Sequence, residues 1–149
     1  MANKKIWLGI LIIVLVFGMS VTGCDAGGFK IGSINVNMDA YKYGPDNFGS
    51  ESNFVYLRFQ DNTLSSEYVD DMKLDFELKI DGSIVTINSI YVAESIIELR
   101  VALNTFIPGI RYKIQVQYTE NSDRPIQLFS GGNLGSFNTG EKNITAKQW

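Results

Sequence analysis

The stretch Lys73-Leu-Asp-Phe-Glu-Leu-Lys-Ile-Asp81 decides the fold class. Leu74, Phe76, Leu78 and Ile80 alternate without a break against Lys73, Asp75, Glu77, Lys79 and Asp81. A helix would scatter these apolar side chains around its circumference, whereas a strand sets all of them on one face. The segment reads as a half-buried strand. Asp81-Gly82 follows, a pair that accepts the positive φ of a tight hairpin, so Ile84-Val85-Thr86-Ile87 reads as the return strand.

The same period recurs on both sides. Ile97, Leu99, Val101 and Leu103 alternate with Glu98, Arg100 and Ala102. After the breaker Pro108-Gly109, Ile110, Tyr112, Ile114, Val116 and Tyr118 alternate with Arg111, Lys113, Gln115 and Gln117. Val55, Leu57 and Phe59 share one face of residues 54–60, and weaker strands are expected within 29–37 and 134–138. Residues 39–53, rich in Gly, Asn, Ser and Asp, read as a long loop, and 65–71 as one helical turn at most. About seven short strands, each with one polar face, fit an all-β antiparallel sandwich better than a parallel sheet.

In their order these elements are similar to a known module. Residues 55–64 form a strand and loop ending in Leu64, and 76–82 a strand closing on Gly82. Val85-Thr-Ile-Asn-Ser-Ile-Tyr-Val92, the strand 97–103 and Gly109-Ile-Arg-Tyr-Lys-Ile-Gln-Val-Gln-Tyr-Thr119 come next. Pro125-Ile-Gln-Leu128, Gly132-Asn133 and Phe137 complete the series. On these residues the stretch 55–137 resembles the SwmB-type repeat, a bacterial immunoglobulin-like module of cell-surface and secreted proteins. The chain departs from that family in carrying one copy rather than an array, and 29–53 are not covered. The resemblance implies an immunoglobulin-like sandwich and brings no catalytic residues.

The N-terminal segment has a different character. Lys4 and Lys5 precede an apolar run of 14 residues from Ile6 to Met19, and Val21-Thr22-Gly23-Cys24 follows Ser20. A basic start, a short apolar run and small residues at the exit are the parts of a secretory signal. Crossing the hydrocarbon core takes about 20 apolar residues, so a permanent transmembrane helix is the weaker alternative. Val21, Thr22, Gly23 and Cys24 resemble the bacterial lipobox, which implies lipid transfer to the Cys24 thiol and cleavage after Gly23. The competing reading is a chance cysteine beside an ordinary cleavage site. The expected organisation is a signal peptide at 1–23, a lipidated cysteine and tether at 24–28, and a sandwich domain at 29–149. Two or more acyl chains hold a protein on a membrane where one does not. The expected address is the cell membrane or outer membrane, with the domain outside the cytoplasm.

Composition narrows the function. Removing residues 1–23 of the 149 leaves 126, enough for one domain that folds without disulfides; Cys24 is the only cysteine. With Lys4 and Lys5 gone, the 13 basic residues become 11 against 16 acidic ones, a net charge of −5. No basic patch stands out, so nucleic-acid binding is disfavoured and a monomer is expected. Histidine is absent, which removes Ser-His-Asp and Cys-His nucleophiles and histidine metal sites. Gly131-Gly132-Asn133-Leu134-Gly135 lacks the lysine of a phosphate loop and reads as a turn.

Two candidate sites remain. Asp61, Glu67, Asp70 and Asp71 share one inter-strand segment and offer carboxylates for Ca²⁺, or for glycoside hydrolysis, although acidic loops usually just face water. Tyr41, Tyr43 and Phe48 lie in a Gly-rich stretch and suit a sugar or protein ligand, or else fold onto the sandwich edge. Trp149 stands where the terminal aromatic of an outer-membrane barrel would stand, but Thr145 and Lys147 break the alternation such a strand requires. The leading expectation is a lipid-anchored, non-catalytic binding or structural module without cofactor. The alternatives are a carbohydrate-binding domain and a hydrolase using the acidic segment.

Overall fold

The structure is a computed structural model that describes residues 27–45, 49–60, 64 and 70–149. The strands are β1 (Gly28–Ile31), β2 (Ile34–Tyr43), β3 (Ser52–Phe59), β4 (Phe76–Ile80), β5 (Ser83–Val85) and β6 (Ser89–Ala93). After them come β7 (Ile96–Val101), β8 (Arg111–Tyr118), β9 (Phe137–Asn138), β10 (Lys142–Thr145) and β11 (Lys147–Gln148). One sheet has the order β1-β2-β3-β7-β6 with β11 beside β2; the other has β10-β8-β4-β5 with β9 beside β8. The cores of these orders, β2-β3-β7-β6 against β10-β8-β4, are the ABED and GFC arrangement of an immunoglobulin sandwich. Among the described strands all pairings are antiparallel except β11 on β2.

Alternation explains the core. Val36, Met38 and Ala40 of β2, Val55, Leu57 and Phe59 of β3, and Ile97, Leu99 and Val101 of β7 point inward from one sheet. Phe76, Leu78 and Ile80 of β4 and Ile114, Val116 and Tyr118 of β8 meet them from the other. Asp81 and Gly82 both take positive φ, as the hairpin between β4 and β5 requires.

Several sequence expectations are corrected. The alternation at 73–81 runs longer than the strand: Asp70–Asp75 is a 3-10 helix, and Leu74 is 70% exposed. The reason is a fixed corner at Asp75, whose carboxylate accepts bonds from Arg124 Nε (2.7 Å), Arg124 Nη2 (2.9 Å) and Asn121 Nδ2 (3.2 Å). Leu103 and Ile110 also leave the apolar register, because β7 stops at Val101 and β8 starts at Arg111. Both ends of 39–53 are strand rather than loop: β2 continues to Tyr43 and β3 opens at Ser52. Residues 29–37 form a hairpin of two strands rather than one strand, with Gly32 at positive φ in the turn. Among the described residues there are eleven strands where about seven were expected, and sequence reading missed β10 and β11.

Gly27 marks the entry to the sheet. Its carbonyl accepts from Met38 N–H at 2.9 Å, and its φ is +93°. A Cβ there would lie 2.1 Å from the Met38 oxygen, so only glycine fits. Just Asp25 and Ala26 stand between it and Cys24.

The register makes a stability prediction. Phe76 is buried and packs on the Tyr118 ring at 4.8 Å. Phe76→Ala is expected to cost about 3–5 kcal/mol in urea melts. Leu74→Ala and Glu77→Ala, both on exposed side chains, should each change stability by less than about 0.5 kcal/mol. Equal losses at Leu74 and Phe76 would overturn the corrected register. The Asp75 corner adds a pH dependence. Burial opposes its ionisation, but the bonds from Arg124 and Asn121 outweigh burial and hold the carboxyl below its ordinary value of 3.8. Its contribution is complete above that value and disappears as pH falls through the lower folded one. Asp75→Asn should therefore flatten the acid limb of the stability profile.

Candidate functional site

A strand buried on one face normally turns polar side chains outward. β3 does not: Phe54 and Tyr56 point away from the core yet are buried as well. Cross-strand neighbours explain it. Tyr41 of β2 lies opposite Phe54, whose other neighbour is Arg100 of β7; Asp39 lies opposite Tyr56, whose other neighbour is Glu98. These two rows form the outer face of the six-stranded sheet.

Trp149 covers them. The residues before it, Lys147 and Gln148, add β11 to β2, and Trp149 N–H donates to the Lys42 carbonyl at 2.9 Å. The indole stacks on Tyr56 at 5.6 Å with the planes 9° apart, and meets Tyr41 (5.0 Å) and Phe54 (5.8 Å) edge to face. One indole face is thereby committed to the sheet while the residue stays 57% exposed. Lys147 fixes the strand by bonding Asp39 at 2.6 Å, and its ammonium lies 5.6 Å from the Tyr41 ring centre. That bond holds the Lys147 ammonium above its ordinary pKa.

Beneath the aromatic layer is a charged pair. Glu98 is only 6% exposed, accepts a bond from Arg100 Nε and lies opposite Tyr56 in the strand register. Burial, and then the neighbouring Glu98 carboxylate, push the Tyr56 phenol up to about 12. Tyr43, Ser50, Glu51, Ser52, Arg100 and Trp149 rim a cleft of ≈ 380 Å³ whose floor is Phe54, Tyr56 and Glu98. A flat apolar platform ringed by hydroxyl, carboxylate and guanidinium groups suits a ligand with apolar C–H faces and polar edges.

The expected site residues fall as follows. Tyr41 joins the aromatic layer and Tyr43 lines the cleft; Phe48 lies outside the described residues. Asp61 and Glu67 are also outside them, while Asp70 and Asp71 open the 3-10 helix. Among the described residues no three His, Cys, Asp or Glu side chains gather as a metal site. Gly131 and Gly132 lie in the turn closed by Leu128 and Gly132, in keeping with the turn reading. Val21, Thr22, Gly23 and Cys24 lie outside the described residues, and no described helix is long and apolar enough to cross a membrane. Sequence reading missed Phe54, Tyr56, Glu98, Arg100 and Trp149; the one available signal was an aromatic on each face of a single strand.

A larger hollow of ≈ 840 Å³ opens where β5 ends beside β4, lined by Leu74, Ile84 and Asn88 among others. It lacks the stacked aromatic platform that Trp149 and Tyr56 give the cleft, so the cleft is the better-formed site. Comparison of the chain with protein families finds no match, and comparison with curated proteins finds none either.

The coupling between Tyr56 and Glu98 can be measured. Ultraviolet titration is expected to show one tyrosine ionising near pH 12, well above the ordinary value of 10.0. Glu98→Gln should bring it down part of the way only, because burial is the larger cause. With the folded value raised, the pair's contribution is complete below pH 10 and fades as pH rises towards 12. A Tyr56 that titrates at its ordinary value would contradict this arrangement.

Proposed function

We propose that this chain is a lipid-anchored protein of the cell envelope whose immunoglobulin-like domain is a non-catalytic binding module, with a saccharide as its ligand. The anchor reading rests on Val21-Thr22-Gly23-Cys24 behind a basic and apolar leader. The domain's likeness to the SwmB-type repeat accords with an address outside the cytoplasm, in the cell membrane or outer membrane. The binding reading is carried by one observation: Trp149 lies flat on Tyr56, with its remaining surface exposed beside Arg100 and Glu51. A pyranose ring has apolar C–H faces for such a platform and equatorial hydroxyls for its polar rim.

The aromatic layer also pre-forms the site. Its rings are fixed by one another and by the Lys147–Asp39 bond, so little side-chain freedom is lost when a ligand arrives.

Two experiments test the two halves. A glycan array probed with the purified protein should give hits that Trp149→Ala weakens at least about tenfold, or about 1.4 kcal/mol. Ile84→Ala, on the other sheet, should leave them unchanged. Saccharide binding that survives Trp149→Ala would remove the cleft as the site, and an array without hits would remove the saccharide. For the anchor, Cys24→Ser should abolish labelling by radioactive palmitate and leave the precursor uncleaved. Label retained on that variant would sink the lipobox reading.

A further inference from the structure

We propose that the β7–β8 loop, residues 102–110, rests on the lipid surface to which Cys24 is tied. The inference depends on the lipid-anchor reading above and adds an orientation to it. It starts from covalent length. The span from Cys24 to Gly27 covers three residues, and an extended chain advances at most about 3.6 Å per residue, so the anchor lies within about 11 Å of Gly27. Gly27 itself is pinned against Met38 and beside Ile144 of β10; an added Cβ would lie 3.1 Å from Ile144 Cδ1.

β10 leads from that point to the loop. Two residues beyond Ile144, Ala146 N–H donates to the Ile110 carbonyl at 2.9 Å and its own carbonyl accepts from Gly109 N–H at 2.8 Å. The loop is thus bonded to the residue that follows β10, the strand whose Ile144 lies beside Gly27.

Its chemistry suits lipid. Residues 102–110 carry no charge, and Arg111 follows them. Leu103 is exposed, as are Ile107 and Ile110, at 60% and 49%. The loop is also stiff. Phe106 is fully buried beneath it and its N–H donates to Asn53 Oδ1 at 3.0 Å, while Ile107 N–H donates to the Tyr112 hydroxyl at 3.0 Å. Exposed aliphatic groups held on an uncharged, rigid loop next to a lipid tether have the membrane as their nearest apolar phase.

Cys24 is the only cysteine, so in the acylated chain Ile107→Cys or Ile110→Cys provides the one free thiol. The acylated full-length product is placed in vesicles of phosphatidylcholine and phosphatidylglycerol, and that thiol is labelled with a nitrobenzoxadiazole dye. Spin-labelled lipid should quench the dye at 107 and 110 several-fold more strongly than at Leu74→Cys or Phe129→Cys. Those control positions are 70% and 58% exposed and belong to the opposite end of β8. Mass spectrometry of the same preparations reports acylation at Cys24. Equal, weak quenching at all four positions on an acylated chain overturns the seating while leaving the anchor standing. A dye at 107 shielded from solvent but not quenched by lipid would show a protein occupant and also overturn it. An unacylated Cys24 removes the anchor and the seating together.

Discussion

The chain crosses from one sheet to the other at Ala146, and both surfaces of interest depend on that crossing. β10 pairs with β8 and β11 with β2, so two hydrogen-bonded strands joined by one residue clamp the layers together. Strands that change sheets in this way form the corners of a sandwich. Ala146 is itself buried, and both of its backbone groups bond the β7–β8 loop. The crossing then aims the next residues: Lys147 reaches Asp39, and Trp149 lies down on Tyr56. Without this corner the loop would lose its backbone partner and the outer aromatic face would lose its cover.

The second consequence is electrostatic. Covering Phe54 and Tyr56 with an indole removes water from the middle of a sheet face that would ordinarily be solvated. Glu98 is caught under that cover, and a buried carboxylate is costly unless its oxygens are bonded. Arg100 supplies such a bond, and the register sets the Tyr56 phenol opposite the same carboxylate. The arginine remains half in solvent, which keeps one polar group of the network available at the cleft rim. The face is therefore rigid for two reasons, interlocked rings above and a satisfied charge network beneath.

These dependencies show why some of the architecture was legible in the sequence and the site was not. Alternation reports which residues of a strand face the core, and it placed Phe76, Leu78, Ile80, Val55, Leu57 and Phe59 correctly. It cannot report where pairing stops. Leu74 keeps the period and is still exposed, because the Asp75–Arg124 corner, set by residues far along the chain, ends the strand first. Composition misled at 39–53. Asp39 and Asn53 look like loop residues, but Asp39 is neutralised by Lys147 and Asn53 is buried under Phe106. Tyr41 and Tyr43 stood out as aromatics beside polar residues. Their partner Trp149 did not, since the contact exists only after β11 has crossed between the sheets.

The two proposed surfaces constrain each other through the strand directions. The β7–β8 loop follows Val101, which pairs with Asn53 near the start of β3. Ser52 pairs with Tyr43 at that same end of the six-stranded sheet, and both line the cleft. The cleft therefore opens from the outer face of the sheet at the end that carries the loop, not at the far end near Phe59. With the loop on lipid, the platform of Trp149 and Tyr56 stands upright close to the headgroups, facing along the membrane and not away from it. A saccharide that reaches the cleft must then approach parallel to the membrane surface, which favours glycans carried at that surface over those held at a distance from it.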